Sequence, residues 1–451
     1  MTTPTTLPAP APPLMSQSST AQDTAQASFK ETTFHNVACP FCGLLCDDLE
    51  ITRTGSKLKV ANTSCPKALA GFERTVPPAA PQIAGRDVSL AEAISAAAAL
   101  IRTAKLPLYG GLATDVEGIR ATMALADRTG GVVDHVLSDA QYRNFAVMQS
   151  TGWVMSTLTE VRNRADLVII AGSDIQGLHP RFFERIVCNA ESMFDDPPIR
   201  RTVVFIGSGL DQSAVVGQRI ANIVTLDCPP SQVGDLIAVL RARLKGVPLA
   251  QSMSVAGVPM SAIDHLAKLC HDAAYGVVVW APQCLDFANA DLTVQVICDM
   301  VRELNQTQRF VGLSLGGNEG AASAVSVSSW QSGYPLRVSF ASGKPIHDAT
   351  QNALNRMLAA GEGDLLVWTA GFSTGIAVPQ THLPTIVLGT PGLEMAQPPA
   401  IYIPIGTPGI DHSGRLVRND SVVSLPLRNL GRSPLPSAAH VLESIEAALH
   451  L

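Results

Sequence analysis

Apolar residues along this chain fall into short runs closed by glycine or small polar residues, with amphipathic stretches of helical period between them. Asp48 to Ile51 and Lys57 to Val60 flank a glycine turn and predict a hairpin. Pro77, Pro78 and Pro81 then mark a boundary. Ser89-Leu-Ala-Glu92 predicts a capping box opening a helix to about Thr103. Leu106 to Tyr109 predicts a strand ending in Gly110-Gly111, and Thr114-Asp-Val-Glu117 predicts a second capping box with a helix to about Arg128. Further strands are expected at Ala165–Ala171, Thr202–Ile206, Ile223–Leu226, Gly276–Ala281, Phe310–Leu315, Leu365–Thr369 and Thr385–Leu388, with helices at Ser231–Lys245, 289–304 and 348–360. Strands alternating with helices imply parallel sheets joined by right-handed crossovers, here in more than one Rossmann-like layer. Several strands run into glycine-rich loops, and open α/β sheets bind ligands at those carboxyl ends.

At 451 residues the chain exceeds one compact core. Its 46% hydrophobic content is mostly aliphatic, which suits buried parallel strands. A net charge of −6 without a basic cluster argues against nucleic-acid binding. No run of 18 apolar residues predicts a membrane span. The first 33 residues are rich in Thr, Pro, Ala, Ser and Gln and are expected to form a disordered tail. The domain expectation is a tail over 1–33, a cysteine-rich module over 34–80, Rossmann-like layers over 81–395 and a C-terminal segment over 396–451.

Four of the nine cysteines, Cys39, Cys42, Cys46 and Cys65, lie within 27 residues at spacing C-x2-C-x3-C-x18-C. Three close thiols and a distant fourth make a four-thiolate pocket of the kind that holds a [4Fe–4S] cluster. Structural zinc usually uses two paired knuckles, and only a lone Cys65 stands in the second half. Cluster, zinc and four reduced thiols without metal are the three readings, and spacing prefers the cluster. The remaining cysteines (188, 228, 270, 284, 298) are scattered, which fits a reducing cytoplasm.

Other chemistry is thinly represented. No strand-end loop carries G-x-G-x-x-G or the P-loop pattern, and the ten histidines form no zinc-hydrolase pair. Gly207-Ser208-Gly209 lacks the frame of a nucleophile elbow. His347-Asp348 and Asp411-His412 read as polar surface or loop residues.

The module Ala38-Cys-Pro-Phe-Cys-Gly-Leu-Leu-Cys-Asp-Asp48 ahead of several Rossmann-like layers resembles the molybdopterin and tungstopterin oxidoreductases. Within them it is most similar to the B subunit of formylmethanofuran dehydrogenase. Leu108-Tyr-Gly110, Gly130-Gly-Val-Val-Asp134, Leu158 to Asp166, His179-Pro-Arg181, Tyr402-Ile-Pro404 and Thr407-Pro-Gly-Ile-Asp411 extend the likeness over about residues 34 to 430. The resemblance implies a [4Fe–4S] cluster on Cys39, Cys42, Cys46 and Cys65. It also places Lys67 between that cluster and a metal–pterin.

Two departures bear on function. Where the family has its metal-ligating cysteine, this chain has Val116, which has no lone pair to give. Where it has a strand-end Gly-Cys-Asn, this chain has Gly172-Ser173-Asp174, whose carboxylate would repel a pyrophosphate. A tungsto- or molybdopterin is therefore not expected, and no catalytic residue is assigned to this chain. The pattern resembles the B subunit of the formyltransferase/hydrolase complex of methylotrophic bacteria. That branch implies a non-redox structural subunit in tetrahydropterin-linked oxidation of formaldehyde to formate, assembled with homologues of the A, C and D subunits of formylmethanofuran dehydrogenase. The alternative is a redox-active formylmethanofuran dehydrogenase B subunit that binds the pterin.

Overall fold

The structure is a computed structural model that describes residues 31–189, 192–194 and 199–450. The tail expected over residues 1–33 lies outside the described residues as far as residue 30. Glu31 already opens the first strand, Glu31–Val37, which pairs antiparallel with Leu49–Thr54, and that strand pairs with Lys57–Val60. The cysteine loop hangs between the first two strands of this small sheet.

Two open sheets carry the rest. The five-stranded sheet is wholly parallel, in the order Ile220–Leu226, Arg201–Ile206, Leu167–Ala171, Tyr275–Trp280, Arg309–Ser314. Leu-Val-Ile-Ile-Ala at 167–171 and Tyr-Gly-Val-Val-Val-Trp at 275–280 are buried along their whole length, because helices cover both faces. The strand order reverses between these two, so their carboxyl ends, Gly172-Ser173-Asp174 and Ala281-Pro282, diverge around a crevice.

The nine-stranded sheet has a parallel centre of Val132–Val133, Pro107–Ala113, Leu365–Ala370, Thr385–Gly389 and Ile401–Pro404. Short antiparallel strands extend it at both edges. Its switch point lies between Pro107–Ala113 and Leu365–Ala370. The first of these bends as it leaves the sheet, with Gly111 at φ 75° and Leu112 at φ 51°. A Cβ on Gly111 would sit 2.4 Å from the Thr369 carbonyl oxygen, so only glycine allows the two strand ends this close. The five-stranded unit, with its flanking helices, is inserted between the two halves of the nine-stranded one. The two switch points and the cysteine loop meet at one seam.

Helix starts follow the local capping chemistry. Ser89 caps helix Leu90–Thr103 through a reciprocal box with Glu92, Glu92 N–H donating to Ser89 Oγ at 3.2 Å and Ser89 N–H to Glu92 Oε2 at 2.8 Å. Ser89→Ala is expected to cost about 1 kcal/mol, read as a small fall in the urea midpoint. The second box does not form. Asp115, not Thr114, caps helix Val116–Thr129, because its carboxylate accepts from Gly118 N–H at 3.1 Å, while Glu117 turns outward to Arg120 and Arg415. The helix expected over 348–360 shrinks to Leu354–Ala359, since Asp348 Oδ1 accepts from Thr350 and Gln351 N–H (2.8 and 2.7 Å) and holds a turn instead.

Candidate functional site: the thiol pocket and the seam

The loop from Cys39 to Cys46 closes on itself through Cys39 N–H to the Cys46 carbonyl at 2.8 Å and Leu45 N–H to the Cys42 carbonyl at 3.2 Å. Leu45 takes φ 47° to make the return. Cys65 arrives from the end of the hairpin and stands at the N-terminal cap of helix Pro66–Phe72, where Pro66 starts the helix without needing a partner for an N–H. Phe41 packs edge-on against Phe72 at 5.2 Å, and Gly71 is bare because a Cβ there would lie 2.2 Å from the Phe41 ring. All four thiols are buried in the core shared with the five-stranded sheet.

Burial raises the Cys39 thiol well above its ordinary range, and Cys42, Cys46 and Cys65 add to the rise. Burial also raises Cys42, against Lys67 and Arg181, and pushes Cys46 up to about 12, against Arg185 and Arg181. The four sulfurs are therefore electrostatic neighbours with cations beside them, a donor set that suits thiolate–metal chemistry. Among the described residues no three or more His, Cys, Asp or Glu side chains are gathered as a closed set around one metal ion. The pocket is anchored to the five-stranded unit by charge. Arg181 donates to both Asp48 oxygens (2.7 and 2.8 Å) and to Glu184, and Arg185 donates to Asp47 at 2.9 Å.

Gly43 is where the loop touches the seam. Its N–H donates to Asn318 Oδ1 at 3.2 Å, its carbonyl accepts from Asn419 N–H at 2.9 Å, and a Cβ there would lie 2.1 Å from the Gly316 carbonyl oxygen. Behind it lies a polar interior. Lys67 acts electrostatically on Cys42, on His179 and on Glu319. His179 is completely buried with neither ring nitrogen partnered among the described residues, and burial, then Lys67, drives it down to about 3. Glu319 has an unpartnered Oε2 and rises to about 7 through burial, opposed by Lys67 and the Ser373 backbone. Its backbone is left-handed, at φ 53°, and its carbonyl faces His135 Nε2 at 3.0 Å. Sequence reasoning singled out Lys67 and His179 only through resemblance and missed Glu319. The glycine-rich run Gly316-Gly317-Asn318-Glu319-Gly320 after strand Arg309–Ser314 was the available signal.

At the other switch point Val116 begins helix Val116–Thr129, 7% exposed, and lines a cavity of about 400 Å³ with Glu117, Arg120, Val327, Trp330 and Arg415. Asp115 beside it is buried. Its carboxyl is pushed up by burial, with Gly118 N–H and His412 opposing. A Cβ on Gly414 would meet Asp115 Oδ2 at 2.2 Å, so the carboxylate is walled in rather than offered to a ligand. At the first switch point Asp174 caps the short helix Ile175–Leu178, accepting from Gly177 N–H at 3.2 Å. Its negative charge fills the place where a helix start would receive a phosphate. Neither end fits a metal–pterin. Val116 supplies no donor, Asp115 is committed to a cap, and Asp174 repels an anion.

Of the residues expected in a polar surface or loop role, Asp411 sits in a turn but not at the surface. Asp411 is buried, with its two oxygens gripped by Arg432 Nε (3.1 Å) and Nη2 (2.6 Å) and by Thr407 N–H (2.8 Å). Adjacent polar residues looked like loop decoration because the partner lies 21 positions away. His347 stacks between Tyr142 and Tyr334, with ring centres 5.9 and 5.4 Å away.

Two doubly wound sheets, one inserted in the other, with a thiol-rich lobe across their switch points, define a protein of the molybdopterin-oxidoreductase architecture. No family model matches the chain. It is 30% identical over 407 residues to the B subunit of the tungsten-containing formylmethanofuran dehydrogenase 2 of Methanocaldococcus jannaschii, covering 86% of this chain and 91% of that one. It is 26% identical over 326 residues to the B subunit of the formyltransferase/hydrolase complex Fhc of Methylorubrum extorquens, covering 72% and 84%. Among solved structures, the crystal structure of the formyltransferase/hydrolase complex (FhcABCD) of Methylorubrum extorquens with methylofuran matches at TM-score 0.70 and 26% identity. That match covers 82% of this chain and 99% of the other. The chain belongs to the family of formylmethanofuran dehydrogenase B subunits.

Proposed function

We propose that this chain is the B subunit of a formyltransferase/hydrolase complex in tetrahydropterin-linked one-carbon metabolism, and that it holds the assembly together without redox chemistry of its own. The observation that carries this is Val116, buried at the start of the helix that leaves the switch point of the nine-stranded sheet. The resemblance puts the family's metal-ligating cysteine there. Asp174, capping its helix at the other switch point, works in the same direction. The partners are homologues of the A, C and D subunits, in the cytoplasm. No described helix is long and apolar enough to cross a membrane. Cys39, Cys42, Cys46 and Cys65 would hold a [4Fe–4S] cluster, with zinc or no metal as the alternatives. Metal there would tie the hairpin lobe to the seam, because metal binding to a loop-rich module is folding free energy.

The redox-active reading keeps two observations in its favour. His179, Glu319 and Lys67 still form a polar interior beside the thiol pocket, and tungsten-containing dehydrogenases stand among the relatives. One experiment separates the two. The complex is purified anaerobically, its iron, zinc, molybdenum and tungsten are measured, and pterin is extracted. The non-redox reading expects no molybdenum, tungsten or pterin and no viologen-dependent formate oxidation. It expects about four irons per chain if the pocket holds a cluster. Tungsten or molybdenum near one per chain, with pterin, overturns it.

A further inference from the structure

A cleft of about 890 Å³ opens between the hairpin that follows the cysteine loop, the segment 73–79 and the segment 432–435, with Pro391 at its edge. It lies away from the thiol pocket, at the far end of helix Pro66–Phe72. In a chain of net charge −6 its lining is cationic. Lys57, Lys59, Arg74 and Arg432 line it against a single acid, Glu73. Glu73 is already engaged, accepting from Val60 N–H at 2.8 Å.

The two arginines are short of negative charge. Arg432 is 7% exposed. Its Nε and Nη2 are taken by Asp411, and its Nη1 has no partner among the described residues. Arg74 reaches two neutral hydroxyls, Thr390 Oγ1 at 2.5 Å and Thr407 Oγ1 at 3.2 Å, and its Nε has no partner among the described residues. One carboxylate thus serves two half-satisfied guanidiniums. Burial, and then the neighbouring Arg432, pull Arg74 down to about 10. A partly buried cation without a counter-charge is costly, and guanidinium forks match the geometry of phosphate and carboxylate oxygens. Thr390 and Thr407 follow strands Thr385–Gly389 and Ile401–Pro404, which places the arginines at the carboxyl edge of the nine-stranded sheet.

We propose that this cleft binds a multiply charged oxyanion, a phosphoryl group or a set of carboxylates, between Arg74 and Arg432 with Lys57 and Lys59 at its mouth. The site shares no residue with the thiol pocket or with the switch point at Val116.

The test is titration calorimetry on the purified full-length chain, or on its intact complex, with inorganic pyrophosphate and with citrate as probes. Saturable binding of either is expected, and the tighter of the two assigns the ligand as phosphoryl or carboxylate. Arg74→Gln is expected to weaken it about tenfold or more, the loss of a charged hydrogen-bonding partner. The double variant Lys57→Gln/Lys59→Gln changes only exposed side chains. It should keep the wild-type melting temperature, weaken binding by about two- to fivefold and flatten its salt dependence. Should Arg74→Gln fail to fold, the double lysine variant decides alone. No saturable heat with either probe at concentrations on the order of 10 mM, or binding that both variants leave unchanged, overturns the proposal.

Discussion

Asp411→Ala is expected to destabilise the fold by about 3–5 kcal/mol, the cost of leaving a buried cation without its partner. The change strips Arg432 of both its carboxylate bonds and leaves Thr407 N–H unpaired. It also leaves Arg74 and Arg432 to repel each other with no acid between them. Urea denaturation followed by far-UV circular dichroism checks it. Asp411→Asn, which keeps one oxygen acceptor, should lose clearly less than the alanine variant. A loss below about 1 kcal/mol in Asp411→Ala would place the pair among weak surface bridges and refute a buried, structural ion pair.

Gly43→Ala is the second large effect, and it falls on the thiol pocket. The new methyl would start 2.1 Å from the Gly316 carbonyl oxygen and 2.9 Å from Asn419 Cβ. Neither neighbour can yield easily, because one is backbone and the other is bound to Gly43 through its own N–H. Overpacking of this kind costs about 1–3 kcal/mol. Here the strain has one outlet, movement of the Cys39–Cys46 loop off the seam. The buried thiols should then react with an aromatic disulfide reagent about five- to a hundredfold faster, the same free energy expressed as opening. If the pocket holds iron or zinc as proposed, the metal content should fall in parallel. Unchanged thiol reactivity and an unchanged melting temperature would show that the seam gives way elsewhere.

Much of the architecture was legible in the chain because its signals are local. Leu167–Ala171 and Tyr275–Trp280 are apolar on both faces and could only be covered parallel strands. Ser89 and Glu92 sit three apart, so their box forms within one turn whatever lies beyond. The spacing of Cys39, Cys42 and Cys46 similarly confines three thiols to one loop. Local signals also misled where two competed. The sequence pattern pointed to Thr114 as the cap, but Asp115 next to it takes that place because its carboxylate reaches Gly118 N–H at 3.1 Å. Asp348 could have opened a helix, yet its carboxylate closed a turn within its own segment.

By itself the sequence determined that strands and helices alternate and that four thiols share one lobe. These follow from residue type and short spacing. The tertiary structure alone decided which strands join which sheet, nesting Leu167–Ala171 and its partners inside a sheet built from 107–133 and 365–404. It also chose the long-range partners: Asp411 with Arg432, Arg74 with Thr390 and Thr407, Gly43 with Gly316, and Lys67 with His179 and Glu319. Such pairings depend on charge and volume meeting between segments separated along the chain, and no periodicity encodes that distance.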